Sequence, residues 1–206
     1  MPKLLRESRD LVARHALSGL SPTGAVDVRL ATPRHLDRLA DIANREIPGV
    51  NATARGLAQF LRNDPETIFV FQRQGRVLGG AAFLYLNERG HDALILDDID
   101  LKNPAAEFLA TAGSPVSAIY TWALAGHGRA VIGLGNVAAY HRRERFAGAD
   151  YYAQPATPAG RDLLRALGFR PTPSFQPDLW TYPRVALAPG SASEPSASGV
   201  LHHVHA

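Results

Sequence analysis

The chain has no cysteine and one methionine among its 206 residues, and it has no long apolar run. Without cysteine, disulfide bonds, thiolate metal sites and a cysteine nucleophile are excluded. No apolar run approaches the ~20 residues that span a bilayer, so we expect no membrane partner. The formal net charge of +3 is small and spread along the chain. It argues against a nucleic-acid partner and is typical of a cytoplasmic protein that handles a small anion.

Residues 117–141 have the pattern of a strand, a glycine loop and a helix. Residues 117–124 are rich in β-branched, aromatic and aliphatic side chains, which predicts a buried central strand. Gly126 and Gly128 follow, and a helical repeat of apolar positions begins at Val131. Such a unit can bind an anion through unpaired N–H groups, or its glycines can serve packing alone.

The remaining segments predict an α/β fold with a mixed sheet and helices on both faces. We expect strands at residues 26–30, 67–71, 77–86, 91–100, 150–155 and, at an edge, 175–182, with helices at 32–47, 53–62 and 157–167. A connection of about five residues joins the second and third strands. We expect an N-terminal helix and linker in residues 1–24, one domain in residues 25–186 and a disordered tail in residues 187–206.

Three stretches resemble the GCN5-related N-acetyltransferase (GNAT) superfamily, over about residues 26–182. Residues 28–36, with the sequence VRLATPRHL, resemble its first strand and helix, and residues 74–79, QGRVLG, resemble its hairpin. Residues 163–171, LLRALGFRP, resemble its C-terminal signature and are the most specific of the three. In that family the strand, loop and helix bind the pyrophosphate of coenzyme A.

The resemblance implies where a cofactor contact would lie. A backbone N–H near Leu124 or Ala125 would stabilise the oxyanion, and the pyrophosphate would be bound by Gly126, His127, Gly128, Arg129 and Ala130. The family has a basic or amide residue where this chain has Ala123, and a second register runs through Gly133 and Gly135. Leu164 stands where the family often has a tyrosine that acts as general acid.

Acyl transfer to an amine requires an aligned thioester, removal of a proton and a stabilised oxyanion. The candidate catalytic residues are Tyr120, in the central strand, and Asp98, in the acidic run of residues 97–100. Tyr120 can equally be a core residue, and the acids can be a solvated strand end. The basic run of residues 141–145 can contact a phosphate or form a solvated helix end.

We therefore predict an N-acyltransferase, in the first place an acetyltransferase. It would use acetyl-CoA or another acyl-CoA as co-substrate, without a metal, and a small-molecule or peptide amine as acceptor. One alternative is an autoinducer-synthase-like acyltransferase fed by an acyl carrier protein, and another is a non-catalytic ligand-binding member of the fold. A lone Gly-x-Gly is too short for a Rossmann fingerprint. We expect a monomer or homodimer.

Overall fold

The computed structural model describes residues 26–126 and 128–182, which form a seven-stranded mixed sheet with helices. The strands are β1 (Asp27–Leu30), β2 (Ile68–Arg73), β3 (Arg76–Leu86), β4 (Ala118–Gly126), β5 (Asp150–Ala153), β6 (Arg170–Pro171) and β7 (Trp180–Tyr182). The α-helices are α1 (Leu36–Glu46), α2 (Ala54–Asn63), α3 (Glu88–Leu96), α4 (Leu134–Tyr140) and α5 (Pro158–Leu167). The helix and linker predicted in residues 1–24 and the tail predicted in residues 187–206 lie outside the described residues.

Strand β4 lies in the middle of the sheet, as the sequence predicts. The strand order is β1-β2-β3-β4-β5-β7-β6, and every neighbouring pair is antiparallel except β4 and β5. A parallel pair needs a crossover connection, and the segment that contains α4 provides it. The prediction of a mixed α/β sheet is confirmed.

Two hydrophobic cores cover the two faces of the sheet. On the first, which we call the α1 face, helices α1, α2 and α3 contribute buried side chains such as Leu94. On the second, the α4 face, the core includes Val137 of α4. Because side chains alternate along a strand, Ile119 of β4 packs on the α4 face and Tyr120 on the α1 face. None of the helices within the described ranges has the length and apolar character of a membrane span.

Polar side chains and glycines set the ends of several elements. The hydroxyls of Thr53 and Thr157 each accept a hydrogen bond from the N–H of a glycine three residues later, at 3.0 and 2.9 Å, and so cap α2 and α5. Helix α5 ends at Gly168, whose φ of +94° is left-handed. Gln74 and Gly75 both have positive φ, so the β2–β3 turn has two residues instead of the predicted five.

Two further predictions about secondary structure are wrong. Residues 91–100, predicted as a strand, mostly belong to α3, because the side chain of Asn87 accepts the N–H of Gly90 and starts a helix. A short apolar run does not by itself distinguish a strand from a helix. The segment 175–182, predicted as an edge strand, contains β7, which lies between β5 and the two-residue edge strand β6.

Gly79 on β3 makes a close approach to the end of β4. A Cβ atom added at Gly79 would lie 2.3 Å from the carbonyl oxygen of Ala125 and 2.5 Å from Cα of Gly126. Because both are backbone atoms, the strands would have to move apart. We expect Gly79→Ala to lower the free energy of unfolding, measured by urea denaturation, by about 1–3 kcal/mol.

Gly148→Ala is the matched control for this prediction. A Cβ atom at Gly148 meets only the carbonyl oxygen of Val116, at 4.0 Å. The control should change the free energy of unfolding by less than about 0.5 kcal/mol. Equal stabilities of the two variants would contradict a close approach of β3 and β4 at Gly79.

Candidate functional site

The two parallel strands at the centre of the sheet separate, and the gap between them, which we call the fork, is the candidate site. Strands β4 and β5 are paired from Ala118 and Asp150 to Thr121 and Ala153. There β5 ends, whereas β4 continues to Gly126. Within the described part of the chain, no strand pairs with residues 122–126 on the side that β5 leaves. Backbone N–H and C=O groups on that edge can therefore bind a ligand.

Residues 122–126 of β4 form one side of the fork, which we call the β4 arm, and a β-bulge marks its beginning. The register between β3 and β4 shifts at Trp122, which is an extra residue on β4. Trp122 and Ala123 consequently both pack against the core of the α1 face. The indole N–H of Trp122 donates to the carbonyl oxygen of Leu101 at 2.9 Å, and its ring centroid lies 5.0 Å from that of Phe60. A bulge fixed in this way changes the direction of the backbone groups that follow it.

The residues predicted to contact coenzyme A lie along the β4 arm and directly after it. At the end of β4, Ala125 is buried and its two neighbours, Leu124 and Gly126, are half-buried. His127 lies outside the described residues. Gly128, Arg129 and Ala130 belong to a 3-10 segment over Gly128–Gly133, and Ala130 is completely buried. The structure therefore brings the described members of this set together at one end of the fork.

The helix after the glycine loop differs from the prediction. An α-helix is expected from Val131, but the 3-10 segment comes first and α4 has seven residues. Its dipole is accordingly weaker than that of a long helix, so an anion at this loop would depend on individual N–H groups.

Packing also explains part of the glycine pattern. A Cβ atom at Gly126 would lie 2.9 Å from Cβ of Ala130. A Cβ atom at Gly133 would lie 2.9 Å from Val28 and 3.0 Å from Phe71. Gly133 therefore faces the sheet, which favours the register through Gly126 and Gly128 for any ligand contact.

Tyr120 and Gln154 connect the two strands at the apex of the fork, which is the point where β4 and β5 separate after Thr121 and Ala153. Tyr120 is 5 % exposed, and its hydroxyl donates to Oε1 of Gln154 at 2.6 Å. Gln154 directly follows β5, and its Nε2 donates to the carbonyl oxygen of Pro177 at 2.6 Å. Burial raises the pKa of the Tyr120 hydroxyl, so it keeps its proton at neutral pH. Tyr120 is thus a core residue whose polar end lies at the apex.

Asp98 lies in the turn after α3, and the acidic run is a helix end instead of the expected strand end. The N–H of Asp98 donates to the carbonyl oxygen of Ala93 at 2.8 Å, and the side chain of Asp98 is exposed. Asp97, with φ of +63°, ends the helix. A catalytic role of Asp98 stays a prediction.

A second polar cluster, which sequence analysis missed, lies where β4 begins. Arg145 donates to the carboxylates of Asp64 and Glu66 and, at 2.9 Å, to the carbonyl oxygen of Ser114 in the loop before β4. The side chain of Arg145 is 10 % exposed. The guanidinium therefore joins the start of β2 to the loop that leads into β4.

Glu66 is the centre of this ionic cluster. Its carboxylate also accepts hydrogen bonds from Tyr140 at 2.6 Å and Arg143 at 2.7 Å. Burial alone would raise the pKa of Glu66, but the hydrogen bonds from Tyr140, Arg143 and Arg145 hold it at about 2. Arg143 and Arg145 are paired with carboxylates, so this part of the basic run belongs to a partly buried network instead of a solvated helix end.

His141 is buried behind this network. It is 4 % exposed and lies among six aromatic rings, those of Phe69, Phe83, Tyr85, Tyr140, Phe146 and Tyr151. The Tyr85 hydroxyl donates to the carbonyl oxygen of Glu66 at 2.8 Å, so it accepts from Nε2–H of His141 at 2.9 Å. Nδ1 of His141 has no hydrogen-bond partner within the described ranges. Burial, and next the charge of Arg143, lower the pKa of His141 to about 3.

Two clefts open on the surface near these features. One of about 390 Å³ lies over the ionic cluster, with Gly113 and Glu144 on its wall. The other, of about 260 Å³, lies at the start of α5, and its Arg161 is paired with Asp178 at 2.6 Å. No group of three or more His, Cys, Asp or Glu residues in the described segments is arranged to hold a metal ion.

Sequence analysis missed the bulge at Trp122, the position of Gln154 and the ionic cluster for related reasons. A strand register is set by pairing with other strands and leaves no local pattern. Arg145 is 79 and 81 positions from its two carboxylate partners. The only sequence signal was the opposite charge of residues 64–66 and residues 142–145.

No protein-family model matches the chain, and no curated protein matches it in sequence. Several solved structures are similar to it. GphF, a GNAT-like decarboxylase in complex with isobutyryl-CoA, is 17 % identical over 69 % of this chain and 72 % of that chain, with a TM-score of 0.49. Ard1 from Thermoplasma volcanium is 13 % identical over 78 % of this chain and 95 % of that chain, with a TM-score of 0.48. An N-acetyltransferase from Staphylococcus aureus Mu50 is 16 % identical over 76 % of this chain and 94 % of that chain, with a TM-score of 0.47.

All three TM-scores are below 0.5, and the mixed α/β fold is shown by the strand order and the helices of the chain itself.

The buried His141 makes the stability of the fold depend on pH. Its pKa is about 3 in the folded chain, whereas a histidine in an unfolded chain titrates near 6.5. As the pH falls below 6.5, the unfolded chain binds a proton that the folded chain does not. The free energy of unfolding should therefore fall by up to about 1.4 kcal/mol per pH unit until about pH 3.

His141→Phe tests this pH dependence, because phenylalanine keeps a ring in the aromatic cluster and cannot titrate. Urea denaturation at about pH 7, 6 and 5 should show a shallower loss of stability in the variant than in the unmodified protein. Equal slopes would show that the ring binds its proton in the folded chain as well, and would contradict the prediction.

Proposed function

We propose that the chain is an N-acyltransferase that binds a coenzyme A thioester in the fork and transfers its acyl group to an amine. The β4 arm of the fork is the observation that carries the proposal. Residues 122–126 of a central strand have no strand partner on one side in the described chain, and they lead directly into a glycine loop. An open strand edge inside a sheet favours a ligand that can replace the missing strand.

Coenzyme A has the shape and the polar groups for this position. Its pantetheine arm is extended and carries two amides, which can pair with the β4 edge as a strand would. Its pyrophosphate would then meet the N–H groups of the loop, from Gly126 through His127 and Gly128 to Ala130. Arg129 adds a positive charge that can pair with a phosphate.

The reaction requires the backbone at the fork to stabilise negative charge. The amine nitrogen attacks the thioester carbonyl carbon, and the carbonyl oxygen becomes an oxyanion. We assign the donor to the N–H of Leu124 or Ala125, which follow the bulge at Trp122. The C–S bond then breaks, the sulfur takes up a proton and the nitrogen loses one.

Tyr120 is the proposed general acid. Its hydroxyl lies at the apex of the fork and is protonated at neutral pH, because burial raises its pKa. The raised pKa makes it a weak acid, so we assign it a hydrogen bond to the departing sulfur, which takes up its proton as the C–S bond breaks. Gln154 orients this hydroxyl. Asp98 is the proposed base, since it carries an exposed carboxylate after α3, which packs on the same face as Tyr120.

Calorimetric titration with coenzyme A tests the proposed loop. Gly128→Val should abolish binding because its side chain blocks the approach of the pyrophosphate to the backbone. Arg129→Ala should weaken binding by about 10- to 150-fold, the effect of one charge-assisted hydrogen bond. His127→Ala should change it little, because the contact is assigned to its backbone.

Arg62→Ala is the matched control for Arg129→Ala, since Arg62 is an exposed arginine on α2. It should leave the dissociation constant unchanged, and circular dichroism should confirm that each variant is folded. Binding by Gly128→Val as tight as that of the unmodified protein would place the pyrophosphate elsewhere. If coenzyme A does not bind at all but an acylated carrier protein does, the enzyme is of the carrier-fed type.

Turnover tests the role of Tyr120. Tyr120→Phe should lower kcat by about 10²- to 10⁴-fold with little change in KM for acetyl-CoA, because only proton transfer is lost. Thiol release from acetyl-CoA in the presence of a panel of amines measures both constants. Tyr182→Phe, which removes a half-exposed hydroxyl on β7, is the control and should leave kcat unchanged. Similar kcat values for both variants would exclude Tyr120 as the acid.

A further inference from the structure

The two faces of the sheet differ at the apex of the fork. On the α1 face, the ring of Tyr120 is buried and its hydroxyl is bonded to Gln154, the first residue after β5. Gln154 is in turn bonded to the carbonyl oxygen of Pro177. On the α4 face, the last pair of the two strands is Thr121 and Ala153, which have small side chains. The apex therefore has only small side chains on the α4 face, whereas Tyr120 and Gln154 close it on the α1 face.

The length of the β4 arm determines which part of coenzyme A reaches this apex. From Gly126 to Trp122 the strand extends over about 13 Å, at ~3.3 Å per residue. The twelve or so bonds from the pyrophosphate to the sulfur of coenzyme A extend over about 15 Å. With the pyrophosphate at the glycine loop, the sulfur would lie near Trp122 and the acyl group would extend toward Tyr120.

We propose that Tyr120 and Gln154 determine which acyl groups the enzyme accepts and restrict it to acetyl and propionyl thioesters. This inference rests on the proposed function, because it requires coenzyme A in the fork. A longer chain would have to displace the buried ring of Tyr120 or separate its hydroxyl from Gln154. Either change leaves buried polar groups without partners or disturbs the core of the α1 face.

Calorimetric titration with coenzyme A, acetyl-CoA and hexanoyl-CoA tests the proposal without an acceptor. In the unmodified protein, hexanoyl-CoA should bind about tenfold or more weakly than acetyl-CoA. In Tyr120→Ala the two dissociation constants should become similar, while that of free coenzyme A stays the same. Tyr120→Phe keeps the ring but loses the hydrogen bond to Gln154, so its preference for acetyl-CoA should lie between that of the unmodified protein and that of Tyr120→Ala.

Gln154→Ala is a second test of the same proposal. It is needed because Tyr120→Ala removes a buried ring and can prevent folding. Gln154 is half-buried, and its truncation should also reduce the preference for acetyl-CoA without changing the affinity for free coenzyme A. Equal binding of hexanoyl-CoA and acetyl-CoA by the unmodified protein would overturn this inference and leave the proposed function intact. Variants that weaken all three ligands equally would assign Tyr120 and Gln154 a structural role only. If free coenzyme A does not bind to the unmodified protein, the proposed function fails and this inference fails with it.

Discussion

The structure depends on the point at which the parallel pairing of β4 and β5 ends. Up to Thr121 and Ala153 the central strand has a partner on each side, and the first residues of β4 are fully buried. Beyond that point it keeps its partner on β3 but loses the one on β5, and residues 122–124 are half-buried. The bulge at Trp122 follows at once, since a strand with one free edge can accept an extra residue without disturbing a second neighbour.

The beginning of β4, unlike its open end, is held by polar contacts. Arg145 holds two carboxylates near the start of β2 and a carbonyl oxygen of the loop that leads into β4. The backbone carbonyl oxygen of Arg145 also accepts a hydrogen bond from the N–H of Val116 at 3.0 Å. The beginning of β4 is therefore held by the contacts of one largely buried guanidinium and by a backbone hydrogen bond. A strand that is fixed at its beginning and free along its end can keep a gap open without local unfolding.

Sequence analysis predicted the elements whose signals are local, and it failed where the signal is tertiary. The β-branched and aromatic residues of 117–124 predicted the central strand, and the helix predicted at residues 157–167 is α5, Pro158–Leu167. Residues 91–100 were ambiguous because their apolar run fits either a buried strand or a helix, and the cap at Asn87 decides for the helix. The fork begins where the pairing of β4 with β5 ends, and no sequence pattern within β4 marks that position. Gln154 could not be singled out, since its importance comes from Tyr120, 34 positions away.

The glycine loop shows how far a helix dipole can contribute at this site. A charge near the end of a helix is stabilised by about 0.3–1 kcal/mol, and a 3-10 segment before a seven-residue helix aligns fewer peptide dipoles than a long α-helix. A charge-assisted hydrogen bond contributes about 1.5–3 kcal/mol. Two or three N–H groups of the loop therefore outweigh the dipole, and the position of the backbone matters more than the length of the helix. That position is fixed by Gly79 and Gly126, where side chains would force β3, β4 and Ala130 apart. Gly79 and Gly126 would thus act on a ligand only indirectly, because they hold the loop close to the end of the sheet.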